Sequence, residues 1–187
     1  MPDAYRIHKQ DGTYFLTFTI TGWADALLRV EHKDLICDSF NFCIEKKGLE
    51  IFSYVIMTSH VHLLARAQHA NLSDIVRDFK KYTSSQLISS MKSGNESRKE
   101  WIVKLFKEQN GKQTKKSANQ IWQYNSHGEE VFSSKFALSK INYIHNNPVE
   151  SGFVVKPHHH PHSSAQDYAG LEGPIKVSLL NLHMLML

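Results

Sequence analysis

Alternating and apolar segments in the first third of the chain predict three β-strands. Residues Thr13–Thr21 are rich in β-branched and aromatic side chains and alternate along the chain, which is typical of a strand that ends at Gly22. A second apolar, β-branched run extends from Leu49 to Met57. The next two residues are enough to turn the chain into a third strand from His60 to Ala67. We therefore expect a hairpin whose second strand is central in a sheet.

Two segments have the periodicity of amphipathic helices. From Asp25, which has the residue type of an N-cap, to Lys47, apolar positions recur every three or four residues, and Gly48 is suited to end that helix. A second helix is predicted to begin at Asn71 or Ser73. The resulting order β-α-β-β-α predicts an α+β fold of the ferredoxin-like type, with an antiparallel sheet and helices packed on one face.

The second half of the chain has a different character. Lysines dominate residues 92–120, where the pattern predicts a basic helical insertion, either a solvated surface or a surface for nucleic acid. Residues 121–124 could form a short strand. A last apolar stripe predicts a helix after Ser134 that Pro148 stops, because the residue before a proline is disfavoured in a helix. The histidine-rich run at residues 158–162 could bind metal, but a polar loop is the commoner role of such a run.

Length and composition limit the class of protein. A chain of 187 residues with 41% hydrophobic residues is expected to form one globular domain over residues 1–187. The net charge of +4 is compatible with a polyanionic partner but does not require one. Cys37 and Cys43 have neither disulfide nor C-x-x-C spacing, and no run of eighteen apolar residues occurs. These features predict a cytoplasmic protein without a membrane span.

The pair His60-x-His62 on the third strand is the main candidate for chemistry. Because side chains alternate along a strand, both imidazoles are expected to point to the same face, where they could share a metal ion. The alternative is ordinary, since a buried histidine that bonds to a backbone carbonyl is commoner than a metal ligand. Lys140, Tyr143 and Asn147 form a polar stripe on the last helix.

Two stretches together resemble the REP-associated tyrosine transposases, which belong to the HUH superfamily of single-tyrosine transposases. They are Tyr54-Val-Ile-Met-Thr-Ser-His-Val-His-Leu-Leu64 and Ile141-Asn-Tyr-Ile-His-Asn-Asn-Pro-Val149. Three further segments resemble the family more weakly: Arg77-Asp78-Phe79-Lys80-Lys81 after the third strand, Ile121-Trp122-Gln123, and Ser163-Ser164-Ala165. The order and spacing of several weak motifs are more specific than any one of them.

The resemblance implies an enzyme that cuts and rejoins single-stranded DNA through a 5′-phosphotyrosine. It assigns the metal pair to His60 and His62, a third, amide ligand to Asn147, and the nucleophile to Tyr143. The implied cofactor is Mg²⁺ or Mn²⁺. Tyr82, with an amide four residues later, is an alternative nucleophile.

The implied partner is single-stranded DNA folded into a hairpin, and a homodimer is an open alternative to a monomer. Phosphate contacts are expected from basic residues on the second helix, in the basic stretch and one turn before Tyr143: Arg77, Lys80, Lys81, Lys112, Lys115, Lys116 and Lys140. Lys140 could also stabilise a phenolate.

Two other functions fit the same residues. A zinc-dependent hydrolase would use His60, His62 and a third ligand such as His127 or His145, with water as the nucleophile. A non-catalytic nucleic-acid-binding protein would keep its binding after loss of both histidines.

Overall fold

Four antiparallel strands form one sheet in the spatial order β2-β3-β1-β4. The strands are β1 (Tyr14–Thr19), β2 (Leu49–Ile56), β3 (His60–Ala67) and β4 (His127–Glu130). The structure, a computed structural model, describes residues 7–93, 97–111, 121–123 and 127–180. The predicted hairpin between β2 and β3 is present, and β3 lies between β2 and β1.

Three helices cover one face of this sheet. They are α1 (Val30–Lys47), α2 (Leu72–Ser93) and α3 (Lys99–Gly111). Phe40 of α1 stacks on Phe79 of α2 with ring centroids 4.2 Å apart, and Phe79 also packs against Phe18 of β1 and against Trp122. Large apolar side chains from both helices and the sheet therefore form the main core.

The first helix begins later than its sequence periodicity indicates. Asp25 is not the N-cap, because its carboxylate accepts a hydrogen bond from the Thr58 hydroxyl at 2.8 Å. Ala26 and Leu27 are buried in an irregular segment, and the backbone N–H of Leu27 donates to the carbonyl of Thr58 at 2.9 Å. This segment is therefore tied to the β2-β3 turn. Gly48 ends α1 as predicted, with a φ of +71°.

The fourth helix, α4 (Ser134–Glu150), packs on the opposite face of the sheet. Ser133 caps its first turn, and Ile141 and Ile144 contact a second, smaller core. That core comprises Phe15, Phe52, Val55, Met57 and Leu64. The antiparallel α+β fold is as predicted, with helices on both faces of the sheet rather than on one.

Pro148 does not stop α4, contrary to the prediction. The helix continues to Glu150, and Pro148 is buried. A proline removes one backbone hydrogen bond, here the bond to the Ile144 carbonyl, but the next turn is closed by the Ser151 N–H, which donates to the Asn147 carbonyl at 3.0 Å. Asn147 consequently lies inside a regular turn and not at a frayed end.

The segment after α4 closes the outer edge of β2. The Ile56 N–H donates to the His162 carbonyl at 2.9 Å, and the Ser164 N–H donates to the Tyr54 carbonyl at 3.1 Å. A short helix, α5 (Ala165–Tyr168), follows. His160 and His162 are buried, and their Nε2 atoms lie 3.0 Å from the Ile56 carbonyl and from a carboxylate oxygen of Asp34 respectively. These two histidines thus hold the segment in place.

The basic stretch contains a helix, as predicted, but only part of it lies among the described residues. Ile102 and Phe106 of α3 are buried in the main core, whereas Trp101 is exposed. The division into one domain with an insertion at about 92–120 stays a prediction. Within the described ranges, no helix has the length and apolar character needed to cross a membrane.

Candidate active site

His60 and His62 lie side by side on the face of β3 that α4 covers. Their ring centroids are 4.8 Å apart, and they share this face with Leu64 of the smaller core. His62 is only 6% exposed. The alternation of β3 therefore brings the two imidazoles together, as the H-x-H spacing predicted.

Hydroxyl groups contact the Nδ1 atom of each imidazole. Thr17 Oγ1, directly across the β1-β3 ladder, lies 3.0 Å from Nδ1 of His62. Ser59 Oγ lies 3.2 Å from Nδ1 of His60. A hydroxyl that accepts a hydrogen bond from Nδ1–H leaves the Nε2 lone pair available as a ligand.

Tyr143 reaches the histidine pair from α4. Its Oη atom lies 3.4 Å from Nε2 of His62, across 81 residues of sequence. The edge of Phe15 packs against the tyrosine, with ring centroids 5.8 Å apart in a T-shaped arrangement, and the same phenylalanine stacks on His62 at 5.4 Å. Tyr143 is nevertheless 44% exposed, so the tyrosine side chain contacts the site and is also accessible from solvent.

Asn147 lies one helical turn after Tyr143, beside His60. Its Oδ1 atom is buried and has no well-formed hydrogen bond to the described residues. Buried polar atoms almost always have a partner, so this oxygen is in a position that a ligand would satisfy. His60, His62 and Asn147 are the three side chains that could hold a metal ion here.

Burial keeps both imidazoles uncharged. Desolvation lowers the pKa of His62 to about 3, and the neighbouring His60 and Lys140 act in the same direction. Desolvation also lowers the pKa of His60, although the nearby Asn147 amide opposes part of this effect. A metal ligand must be a neutral imidazole, so the site is prepared for coordination at neutral pH.

Lys140 is close to the site but is engaged with other groups. Its Nζ atom lies 2.7 Å from a carboxylate oxygen of Glu129 and 4.4 Å from the ring centroid of Phe15. The ammonium group is therefore neither a simple solvated charge nor, in this arrangement, paired with the phenol of Tyr143.

His145, which was named only as a possible ligand of the hydrolase alternative, anchors α4 on the side of the helix away from the histidine pair. Its Nε2 atom lies 3.1 Å from the Ser53 hydroxyl and 2.9 Å from the Ser164 hydroxyl, and its ring packs against Tyr168. These contacts join α4 to β2 and to the segment after α4. Helical spacing alone could have placed His145 on a different face from Tyr143, but the three partners come from distant parts of the chain.

Thr17 and Phe15 are contacts of the site that were not predicted, and the anchoring role of His145 was not predicted either. Side chains alternate along β1, so Phe15 and Thr17 point to the same face of the sheet. This alternation is the only feature of the sequence that relates the two residues. Knowing that β1 pairs with β3 was needed to place them beside His62.

Among the described side chains, the hydrolase alternative has no third ligand of the expected type. His145 is bonded to the two serines, and no group of three His, Cys, Asp or Glu side chains within the described ranges could hold a metal ion. The side chain of His127 lies outside the described residues. The alternative nucleophile Tyr82 is on α2, which covers the other face of the sheet.

The predicted phosphate contacts that lie among the described residues do not form one surface. Lys80 was expected to contact a phosphate, but the structure directs it into the protein. Its Nζ atom donates to the Gln123 carbonyl at 3.0 Å, and burial lowers its pKa to about 8. Arg77 is exposed but forms ion pairs with Asp74 and Asp78. Lys81 is exposed on α2, in the helical layer opposite the histidine face. Lys112, Lys115 and Lys116 lie outside the described residues.

Comparisons with known proteins identify a family and a similar fold. The model of the family described as IS200-like transposases matches residues 24–124, slightly more than half of the chain. This range includes both histidines and ends before Tyr143. A solved structure of a REP-associated tyrosine transposase bound to a REP hairpin is similar in fold, with a TM-score of 0.65 at 18% identity, over 95% of this chain and 92% of that chain. The curated proteins contain no significant match.

Proposed function

This chain belongs to the family of IS200-like transposases, as its motifs predicted, and from that premise we propose that it cleaves and rejoins single-stranded DNA with Tyr143 as the nucleophile. The observation that carries the proposal is the 3.4 Å separation between Tyr143 Oη and His62 Nε2. A phenol held this close to a neutral imidazole, on a side chain that is partly exposed to solvent, can meet a phosphodiester that enters from outside.

A divalent metal ion, Mg²⁺ or Mn²⁺, is the proposed cofactor, held by His60, His62 and Asn147. The buried Oδ1 of Asn147 beside His60 and the lowered pKa values of both imidazoles support this donor set. All three ligands are neutral, so they would leave the full charge of the ion available. A bound ion would draw charge from the non-bridging phosphate oxygens and favour departure of the 3′ oxygen. Two nitrogen ligands favour Mn²⁺ over Mg²⁺.

In the proposed reaction, Tyr143 exchanges one phosphate ester for another. The phenol loses its proton, the bond between Oη and phosphorus forms, and the bond between phosphorus and the 3′ oxygen breaks. The 3′ oxygen takes up a proton, and the other strand end stays attached as a 5′-phosphotyrosine. Because the ester bond is conserved, a 3′-hydroxyl can reverse the reaction without another energy source.

The proposed substrate is single-stranded DNA with a hairpin. The solved relative is bound to a REP hairpin, and attack on a backbone phosphate requires an unpaired, accessible strand. Tyr143 lies beside the histidines of its own chain, which supports a site assembled within one chain over a site shared between two.

The experiment is to incubate the protein with Mn²⁺ and end-labelled single-stranded oligonucleotides that contain inverted repeats, followed by denaturing gels. We expect a DNA-linked protein band that Tyr143→Phe abolishes. Tyr82→Phe is the matched control and should retain the band, because Tyr82 lies in the helical layer on the other face of the sheet. A band that survives in Tyr143→Phe, or cleavage without any covalent band, would contradict the proposal.

A further inference from the structure

A tryptophan lies at one end of the histidine pair. Trp23 ends a short 3-10 helix, Thr21–Trp23, directly after β1, and its ring centroid is 5.6 Å from that of His60. Its side chain is 62% exposed, and its backbone φ is +55°. A bulky residue rarely adopts a positive φ, and such strain is concentrated at functional sites.

A second exposed aromatic side chain lies beyond the other end of β1. Phe132 follows β4, is 85% exposed, and stacks on Phe136 with ring centroids 5.8 Å apart. Lys140 lies over both Phe136 and Phe15, with its Nζ atom 5.0 Å and 4.4 Å from the two centroids. Phe15 in turn stacks on His62.

These contacts connect the two exposed rings through the candidate active site. The antiparallel register pairs Thr19 with His60 and Phe15 with Leu64, so Trp23 and Phe132 follow opposite ends of the same strand. A strand rises about 3.4 Å per residue, and β1 therefore separates the two ends by about 17 Å. This distance leaves room for several nucleotides whose backbone would cross the histidines.

Exposure alone does not identify a binding ring, because single exposed aromatic side chains are normal. Phe42, for example, is 55% exposed on α1, in the helical layer on the other face of the sheet. What distinguishes Trp23 and Phe132 is that each is connected to the histidine pair: Trp23 by a ring contact with His60, and Phe132 through Phe136, the Lys140 ammonium group and Phe15. Lys140, which lies over Phe15 and Phe136, is paired with Glu129, so its positive charge is already partly compensated before DNA binds.

We propose that Trp23 and Phe132 are stacking platforms for the unpaired bases on the two sides of the scissile phosphate. Each platform would hold one flank of the strand, so that the phosphate between them is presented to Tyr143. Every base has a π face, so such stacking tolerates many sequences and positions the strand without reading it. The inference rests on the proposed function, because it takes single-stranded DNA as the ligand.

The test compares two probes of equal length and charge: a fluorescent oligothymidylate, and an abasic oligomer with the same deoxyribose-phosphate backbone. Binding is measured in a Tyr143→Phe background with EDTA, so that neither cleavage nor metal affects the affinity. We expect Trp23→Ala and Phe132→Ala each to weaken oligothymidylate binding about tenfold and to leave abasic binding unchanged. Trp23→Phe should retain most of the affinity. Phe42→Ala is the control, with no change for either probe.

Equal weakening for both probes would overturn the inference, because it would indicate lost backbone contacts or a damaged fold. Unchanged binding of oligothymidylate by both alanine variants would overturn it as well. The proposed function is judged separately by the covalent band in the wild-type protein. A wild-type protein that forms the band while both alanine variants bind normally would refute only the stacking platforms. A wild-type protein that forms no band would refute the proposed function itself.

Discussion

The burial of His62 predicts a stability that falls in mild acid. Desolvation lowers the pKa of this imidazole to about 3 in the folded protein, whereas an unfolded histidine has a pKa of about 6.5. Between these two values the unfolded chain binds a proton that the folded chain does not bind. The contribution of His62 to stability is therefore complete above about pH 6.5 and is lost progressively as the pH falls toward 3.

The magnitude follows from this difference in proton binding. At pH 5, about 1.5 units below the unfolded pKa, His62 lowers the free energy of unfolding by about 2 kcal/mol relative to neutral pH, since each unit corresponds to about 1.4 kcal/mol. His145 adds a loss of similar size, because burial lowers its pKa to about 4. Together they remove about 4 kcal/mol, a large part of the 5 to 15 kcal/mol typical of a domain.

The assay is urea unfolding followed by circular dichroism at pH 7 and pH 5, with EDTA present to exclude metal binding. His62→Gln lowers stability at both pH values, but the decrease between them should be about 2 kcal/mol smaller than in the wild-type protein. His69→Gln, at an exposed position, is the control and should leave the decrease unchanged. If His62→Gln and the wild-type protein lose the same free energy between pH 7 and pH 5, His62 is not held neutral by burial.

Three further predictions test the surroundings of the site. Asn147→Ala should weaken Mn²⁺ binding about tenfold in calorimetric titration, because the buried Oδ1 ligand is lost; an unchanged affinity would remove Asn147 from the metal site. His145→Ala leaves the Ser53 and Ser164 hydroxyls without the imidazole, so the free energy of unfolding in urea should fall by about 1 to 3 kcal/mol. The same variant should reduce formation of the covalent band more than it reduces the affinity for the oligonucleotide. A variant with full cleavage would show that α4 is positioned without this anchor. Lys80→Met should keep the wild-type affinity for oligothymidylate in fluorescence titration, because its ammonium group bonds to a carbonyl inside the protein, and a clear loss of affinity would return Lys80 to the DNA-binding surface.

Features with a local physical cause could be predicted from the residues alone. The alternation of side chains along β3 puts His60 and His62 on one face in any sheet that contains this strand. The spacing of Tyr143 and Asn147 on α4 likewise puts both on one side of a helix. Gly48 ends α1 because a left-handed residue is needed there.

Other local signals were outweighed by tertiary contacts. Asp25 has the residue type of an N-cap, yet the segment after it is bonded to the β2-β3 turn and α1 begins at Val30. Pro148 has the residue type that ends a helix, yet α4 continues two residues further with Pro148 buried. In both cases contacts with distant parts of the chain outweigh the tendency of a single residue to begin or end a helix.

The sequence by itself therefore determined the order of the first three strands and of helices α1 to α4, the pairing of the two histidines and the candidates for nucleophile and amide ligand, whereas β4 at His127–Glu130 was not predicted. Only the tertiary structure decided that α4 covers the histidine face, that Lys80 points inward and that Trp23 and Phe132 lie at the two ends of one series of contacts through the site. The reason is the range of the interactions. Periodicity depends on neighbours along the chain, whereas the exposure and partners of a side chain depend on which distant elements pack against it.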